Sequence, residues 1–243
     1  MTYTYYITNV QHQHCYLYTV LYRVCCVAGV IMPSSSYDEL NTLISDYVHC
    51  SSEESTCRLK ERLHSLQPEC SEEVFQLLTT VKDDHHECTA IHKTMVRNHP
   101  EMLTCFFNKL TSEQRFKLLE MGNVNKWTAL HAAALTGAIN PFKCIRNSVT
   151  AEQIYKLLTM KDKNGCTALH LAASKGCTEL VEAMLDSVKR DQQIQLLDIT
   201  NNDNRTTLDI ALQFNKQSTA DLIKQYRLQF NHQGETTPVN GKN

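Results

Sequence analysis

Histidine and cysteine side chains, which are common zinc ligands, come close together twice in this sequence. One group is His85, His86, Cys88 and His92, and the other lies between residues 49 and 64 with two histidines and two cysteines. Structural zinc sites combine two ligand pairs at C-x-x-C or H-x-x-x-H spacing, separated by a set distance. Neither group combines two such pairs, so the sequence predicts no metal site.

Motifs that would indicate catalysis are absent. The sequence has no G-x-S-x-G, no glycine-rich phosphate loop and no H-E-x-x-H. With 11 cysteines and 11 histidines in the chain, an isolated cysteine and a distant histidine carry little information. We therefore expect neither an enzyme nor a cofactor.

The composition of the chain excludes several classes of protein. The 24 basic and 26 acidic side chains give a net charge of −2, which argues against a nucleic-acid binder that neutralises phosphates. Seven glycines and five prolines are too few for the turns of a many-stranded β-protein. The odd number of cysteines predicts reduced thiols and a cytoplasmic protein. The charged runs at residues 52–54 and 82–84 are expected to be solvent-exposed.

The N-terminal segment at 1–32 differs from the rest of the chain. It holds six of the ten tyrosines and no acidic residue, and residues 15–32 are mostly apolar but contain Arg23. A membrane span needs about 20 apolar residues, and a central arginine costs about 2.5–3.5 kcal/mol, which disfavours an anchor. Three interpretations stay open: a poorly ordered extension, a weak anchor of a membrane-tethered adaptor, and a functional chain that begins at Met32.

A four-residue pattern recurs at a constant interval and indicates repeated units. Each copy begins with a threonine, at positions 89, 128, 167 and 206, so the period is 39. Nine positions after each threonine stands a glycine or an asparagine, the residues that best adopt a left-handed conformation at a helix C-terminus. These residues are Asn98, Gly137, Gly176 and Asn215. The pattern predicts a short first helix that stops there.

Two further helices are predicted in each repeat. Apolar residues stand 13, 14, 16 and 17 positions after the threonine, a spacing that places them on one helical face. Thr111 with Gln114, and Thr150 with Gln153, then have the spacing of a capping box. An extra short helix is therefore expected before the next repeat.

At residues 162–176 the sequence DKNGCTALHLAASKG resembles the ankyrin repeat signature D-x-x-G-x-T-P-L-H-x-A-A-x-x-G. The departure is Ala168, where the family usually has proline, but alanine is a good helix former. The period also exceeds the usual ankyrin length of about 33 residues, and the excess coincides with the extra helix. The resemblance implies an all-α ankyrin-repeat solenoid of stacked helix-turn-helix units, with short hairpin-like fingers and an extra short helix per repeat.

This register divides the chain into seven segments. They are an apolar, tyrosine-rich leader at 1–32, disordered or a weak anchor; a degenerate N-terminal helical capping repeat at 33–82; ankyrin repeats at 83–121, 122–160 and 161–199; a C-terminal capping repeat at 200–230; and a disordered tail at 231–243. The last repeat has Asp209 in place of the signature histidine.

The threonine and histidine of each signature could be mistaken for catalytic groups, but the resemblance implies a structural role. In ankyrin-like repeats, the hydroxyl and the imidazole satisfy each other and nearby backbone donors at the start of the first helix. The structural residues, including two glycines that end first helices, are Thr89, His92, Thr128, His131, Thr167, His170, Gly137 and Gly176.

The resemblance also implies where a partner binds: the fingers and the exposed end of the first helix, which together line a concave groove. We expect a protein or peptide partner, no nucleic acid and no membrane, and a monomeric scaffold or adaptor. The predicted partner-binding residues are Val96, Arg97, Val124, Asn125, Trp127, Leu135, Lys163, Cys166, Lys175, Arg205 and Phe214.

Trp127, the only tryptophan, has two possible roles at its finger position. With Val124 and Leu135 it could form an apolar patch flanked by Arg97 and Arg205, since tryptophan and arginine are enriched at binding hot spots. Alternatively, it packs against the neighbouring finger as part of the wall. The sequence leaves both roles open.

Overall fold

The computed structural model describes residues 34–49, 52–67 and 70–231. The leader predicted at 1–32 and, apart from Asn231, the tail predicted at 231–243 lie outside these ranges. Within them, the chain forms fourteen helices and no strand, which confirms the predicted all-α fold. None of the helices in this part of the chain is long and apolar enough to cross a membrane.

The helices follow the predicted order of first, second and third helix. The N-terminal unit contains α1 (Ser34–His49), α2 (Glu53–Ser65) and α3 (Ser71–Thr80). The next three units contain α4 (Ala90–Val96), α5 (Pro100–Phe107) and α6 (Ser112–Glu120); α7 (Ala129–Thr136), α8 (Ile139–Ser148) and α9 (Ala151–Thr159); and α10 (Ala168–Lys175), α11 (Thr178–Leu185) and α12 (Arg190–Asp198). The last unit contains α13 (Thr207–Gln213) and α14 (Gln217–Asn231).

The first helices end where the sequence predicts. Asn98, Gly137, Gly176 and Asn215 have φ angles of 54°, 71°, 76° and 55°, all in the left-handed region that terminates a helix. At two of these positions, asparagine adopts the conformation that glycine adopts without strain. The recurring residue therefore separates the first helix from the second.

The extra helices begin with the predicted capping boxes. Thr111 N–H donates to Gln114 Oε1 at 2.9 Å, and Gln114 N–H donates back to Thr111 Oγ1 at 3.2 Å. Thr150 and Gln153 repeat this exchange at the same two distances. Each box satisfies two N–H groups that the helix start would otherwise leave unpaired, so the lengthened repeat has a local cause in its sequence.

The units stack in three rows, one for each helix type. First helices pack as α1–α4–α7–α10–α13, second helices as α2–α5–α8–α11–α14, and third helices as α3–α6–α9–α12. A single apolar core runs from Leu40 to Ile223. Tyr47 joins the N-terminal unit to this stack, because its buried hydroxyl lies 3.2 Å from Thr94 Oγ1 and its ring meets Phe106 edge-on.

One residue in each of the two charged runs has a structural role that the sequence did not predict. The expectation that residues 82–84 are solvent-exposed is wrong for Asp83, which is 8% exposed. Ser52 is exposed, but its Oγ accepts the N–H of Ser55 at 3.1 Å and caps α2. Asp83 accepts backbone N–H groups where the chain reverses, and Ser52 accepts one at the start of a helix. These local hydrogen bonds cannot be inferred from the charge of the segment alone.

Candidate functional site

Four fingers connect each third helix to the next first helix, at residues 83–88, 123–127, 162–166 and 201–205. Each begins with an Asp or Asn whose Oδ1 accepts two backbone N–H groups within its own finger, at 2.7–3.4 Å. The residues are Asp83, Asn123, Asp162 and Asn201. The signature contains Asp162, but the sequence did not predict that these residues accept finger N–H groups, although three of the four recur with the period of the signature. The first finger is one residue longer, which moves Asp83 out of register.

The signature histidines connect neighbouring units. The N–H of Thr89, Thr128 and Thr167 donates to Nδ1 of the histidine three residues later at 3.1–3.3 Å. Because Nδ1 accepts, the imidazole proton lies on Nε2. The Nε2 atoms of His92, His131 and His170 lie 2.7, 3.1 and 3.1 Å from a carbonyl oxygen in the next finger. Each histidine thus caps its own helix and binds the next unit.

These histidines are buried, which keeps them neutral. Burial lowers the pKa of His92 to about 4, although the carbonyl of Trp127 opposes this shift. Burial also lowers the pKa of His131 and His170. A neutral imidazole with both nitrogens hydrogen-bonded has a structural role rather than that of an acid–base catalyst near pH 7.

A cavity of about 220 Å³ lies between the first and second fingers. It is lined by Asp83, His86, Cys88, His92, Lys93, Val96, Asn123, Trp127, Ala132 and Leu135. Three predicted partner-binding residues, Val96, Trp127 and Leu135, therefore meet here, and Val96 is 49% exposed. The wall formed by these three residues and Ala132 is apolar, which suits an apolar side chain.

One edge of this cavity carries a partly buried ion pair. Lys93 Nζ lies 2.6 Å from Asp83 Oδ2. Burial alone would raise the pKa of Asp83, but Lys93 and the N–H groups of His86 and Cys88 outweigh it and hold the pKa well below its usual range. Asp83 is thus an ionised carboxylate that stabilises the first finger.

Trp127 packs against the next finger, which is one of its two predicted roles, and its role in binding stays a prediction. It lines the cavity, and its Nε1 donates to Asp162 Oδ2 in the next finger at 3.1 Å. The same positions are paired in the adjacent fingers, where Asn123 Nδ2 lies 3.4 Å from Cys88 Sγ and Asn201 Nδ2 lies 3.8 Å from Cys166 Sγ. Trp127 is thus a half-buried part of the wall with one face on the cavity.

The other predicted binding residues are distributed along the stack. Arg97 faces α1: its guanidinium lies 4.8 Å from the Tyr47 ring centroid and donates to the Tyr47 carbonyl, so it does not flank Trp127. Backbone N–H groups of Val124 and Lys163 donate to the carbonyls of His86 and Asn125 at 3.1 Å and join three fingers. In the later units, the predicted binding residues with exposed side chains are Lys163, Lys175, Arg205 and Phe214.

The histidine and cysteine groups do not form a metal centre in the described part of the chain. No cluster of three or more His, Cys, Asp or Glu side chains is placed there to hold a metal ion. His85 and His86 are exposed, whereas His92 is buried and bonded through both nitrogens.

Comparison with known proteins agrees with this geometry. Residues 142–233 match the family model for ankyrin repeats, in three copies. No curated protein matches the chain at a significant level. Ankyrin repeats are in general protein–protein interaction modules, and the family is typically non-enzymatic. The matching sequence, the helix pairs with their fingers and the Thr167–His170 pair all lead to one assignment: residues 142–233 of the chain are ankyrin repeats.

Proposed function

We propose that this chain is a non-enzymatic scaffold or adaptor that binds a protein or peptide in a concave groove formed by the fingers and the ends of the first helices. The observation that carries the proposal is the cavity between the first two fingers, which brings Val96, Trp127 and Leu135 together although Val96 and Leu135 belong to different repeats. Large side chains around an apolar pocket are typical of binding hot spots.

The surroundings of the cavity support this role because they hold its walls in place. His92 Nε2 bonds the Trp127 carbonyl at 2.7 Å, and the Trp127 indole is fixed by Asp162. On the opposite side, Lys93 is fixed by Asp83. A partner would therefore meet a preorganised surface, and less conformational entropy would be lost on binding.

We also propose that the protein is cytoplasmic. Five cysteines of the repeats are thiols in the structure: Cys88, Cys105, Cys144, Cys166 and Cys177. Cytoplasmic reductants keep thiols in this state, whereas oxidising compartments favour disulfides. Imaging of the tagged chain, with and without residues 1–32, tests this location and the alternative of a membrane-tethered adaptor.

Val96→Asp tests whether the partner binds in the groove, because Val96 lines the cavity. Val96 is half exposed, so a carboxylate at this position can stay hydrated and the fold should tolerate it. Leu228→Asp is the matched control, since Leu228 is 57% exposed on α14 and lies outside the cavity. We expect proteins captured by the wild type and by Leu228→Asp to be lost with Val96→Asp in quantitative affinity purification. The interaction is then reconstituted with the purified partner.

Thermal melts establish that both variants fold. Capture of the same proteins, in the same amounts, by the wild type and both folded variants would contradict the proposed groove.

A further inference from the structure

The proposed groove changes in charge along its length. The tip of the first finger carries the exposed acids Asp84 and Glu87. Beyond the apolar cavity, four exposed cations follow in the later units, and Asp203 is the exposed acid of their fingers. The cations are Lys126, Lys163, Lys175 and Arg205.

None of these four cations forms an ion pair in the described residues, although Arg205 lies near the Asp209 carboxylate, whose pKa is lowered by hydrogen bonds from Thr206 and also by Arg205. The ion pairs there use other basic residues, including Lys82 with Glu87 at 3.3 Å and Lys93 with Asp83 at 2.6 Å. Arg205 donates to the neutral side chain of Gln213. Basic side chains are thus paired with acids at the first finger, whereas Lys126, Lys163 and Lys175 farther along form no ion pair in the described residues.

The fingers that carry the cations are joined by backbone hydrogen bonds. Lys163 N–H donates to the Asn125 carbonyl at 3.1 Å, and Asn202 N–H donates to the Asn164 carbonyl at 3.0 Å. Packed helices lie about 8–10 Å apart, so the cations recur at about that step. An extended peptide advances about 3.3 Å per residue, and therefore every third residue of such a peptide meets a new unit.

The cavity adds an apolar requirement at one end of this row. Its volume of about 220 Å³ is below the range of about 300–1,000 Å³ typical of small-molecule sites. Its apolar wall suits one bulky side chain. The acidic tip beside it would repel a second acidic segment on that side.

We propose that the partner segment is an acidic peptide with one bulky apolar anchor: the anchor enters the cavity, and carboxylates on one side of it lie along Lys126, Lys163, Lys175 and Arg205. This inference rests on the proposed binding function and specifies the chemistry of the partner. Since exposed charges are screened beyond about 8–10 Å in 0.10–0.15 M salt, binding weakens as salt is raised.

A selection from a random peptide library tests the inference without a known partner. The full chain is immobilised, and displayed peptides of roughly 12 residues, long enough to cross the units at about 3.3 Å per residue, are selected in low salt. Enriched peptides should carry Leu, Ile, Met or Phe with several Asp or Glu residues on one side. The most enriched peptide is synthesised with a fluorophore, and its affinity is measured by anisotropy.

Three variants of the chain locate the bound peptide. Val96→Asp and the double variant Lys163→Glu/Lys175→Glu should each weaken binding about tenfold or more, the factor that corresponds to about 1.4 kcal/mol. The control Lys143→Glu/Arg146→Glu makes the same charge change at exposed positions of the second helix α8, and it should leave the affinity within about twofold. Thermal melts confirm that each variant folds.

The outcomes separate this inference from the proposed function. Enriched peptides that depend on Val96 but show no excess of acidic residues would overturn the acidic-partner inference and leave the groove intact. Equal losses in the two double variants would also overturn it, because binding would then follow net charge alone. If no enriched peptide is sensitive to Val96→Asp or to the finger cations, both the inference and the proposed groove fail.

Discussion

Two sides of the repeat stack are joined by different chemistry. On the finger side, which comprises the four fingers and the first helices, buried imidazoles such as His131 bond the backbone carbonyl of the next unit. On the third-helix side, which comprises α3, α6, α9 and α12, exposed side chains form the links. Lys156 Nζ lies 2.6 Å from Glu120 and Lys189 Nζ lies 3.2 Å from Glu152. One repeat period therefore produces two kinds of contact.

This difference shows where the stability of the stack should reside. A buried polar group that loses its partner costs about 1–3 kcal/mol, whereas an exposed ion pair contributes about 0.2–1 kcal/mol. The finger side should therefore determine how strongly neighbouring units hold together, while the third-helix side mainly supplies capped helices with soluble surfaces.

The largest expected effect is a loss of stability in acid, from the finger side. The pKa of His92 is about 4 in the folded chain against about 6.5 unfolded. The unfolded state therefore binds more protons than the folded state between about pH 6.5 and pH 4. The free energy of unfolding consequently decreases as the pH is lowered through this range. Between pH 7.5 and 5, His92 alone should cost about 2 kcal/mol. The lowered pKa values of His131 and His170 act in the same direction.

Urea unfolding at several pH values between 7.5 and 5 measures this loss. His92→Gln provides the control, because it removes one titrating group and keeps a residue that can complete a capping box. Its stability should be lower at pH 7.5 and should depend less on pH. An unchanged slope in this variant would show that the acid loss arises elsewhere.

Gly165→Ala should produce an effect of comparable size, through a clash between fingers. Gly165 has a φ of 73°, and a Cβ placed there would lie 2.7 Å from the backbone nitrogen of Asn202 and closer still to its side-chain oxygen. The left-handed conformation costs a non-glycine residue about 1–2 kcal/mol, and the backbone contact adds to it. We expect a loss of about 2–4 kcal/mol in urea unfolding.

The matched control for this substitution lies in the second finger. Lys126 occupies the equivalent position with a φ of 60°, so Lys126→Gly should relieve strain and raise stability by up to about 1 kcal/mol. Effects of the same sign at the two positions would show that crowding between the fingers does not govern this turn.

His131→Gln isolates the hydrogen bond between units. Glutamine three residues after Thr128 can complete a capping box, as it does in α6 and α9, but it lacks the imidazole Nε2 that lies 3.1 Å from the Cys166 carbonyl. We expect a loss of about 1–3 kcal/mol and a larger loss for His131→Ala. If His131→Gln is as stable as the wild type and only His131→Ala is destabilised, the capping box rather than the link between units determines the role of His131.

The sequence predicted the parts of the structure that local chemistry determines. Helix ends at Gly137 and Gly176 and the capping box of Thr150 depend on residues a few positions apart, so a short window contains their cause. The Trp127–Asp162 pair depends on residues 35 positions apart. That offset recurs in the pairs of the adjacent fingers, but only the stacked structure shows which side chains face each other.

The N-terminal unit was hardest to anticipate because it lacks the repeat register. Arg97 is a predicted binding residue, but its guanidinium packs on the ring of Tyr47 in α1 and donates to the carbonyl of Tyr47. Asp83 was also misread, because one extra residue in the first finger removes it from the repeating column. For Arg97, a neighbour 50 positions away in the sequence, Tyr47, determines the environment of the side chain.

The smallest expected effect comes from the third-helix side. Lys189 and Glu152 have side chains that are 72% and 69% exposed, so Lys189→Ala should change stability by about 0.5 kcal/mol or less, and raising the salt concentration should abolish the difference. Urea unfolding in low salt and in roughly 0.5 M salt, where the screening length is well below 8 Å, measures both quantities. A loss as large as that of His131→Gln would mean that surface charge pairs hold neighbouring units together as strongly as the buried imidazoles, and the contrast between the two sides would then not hold.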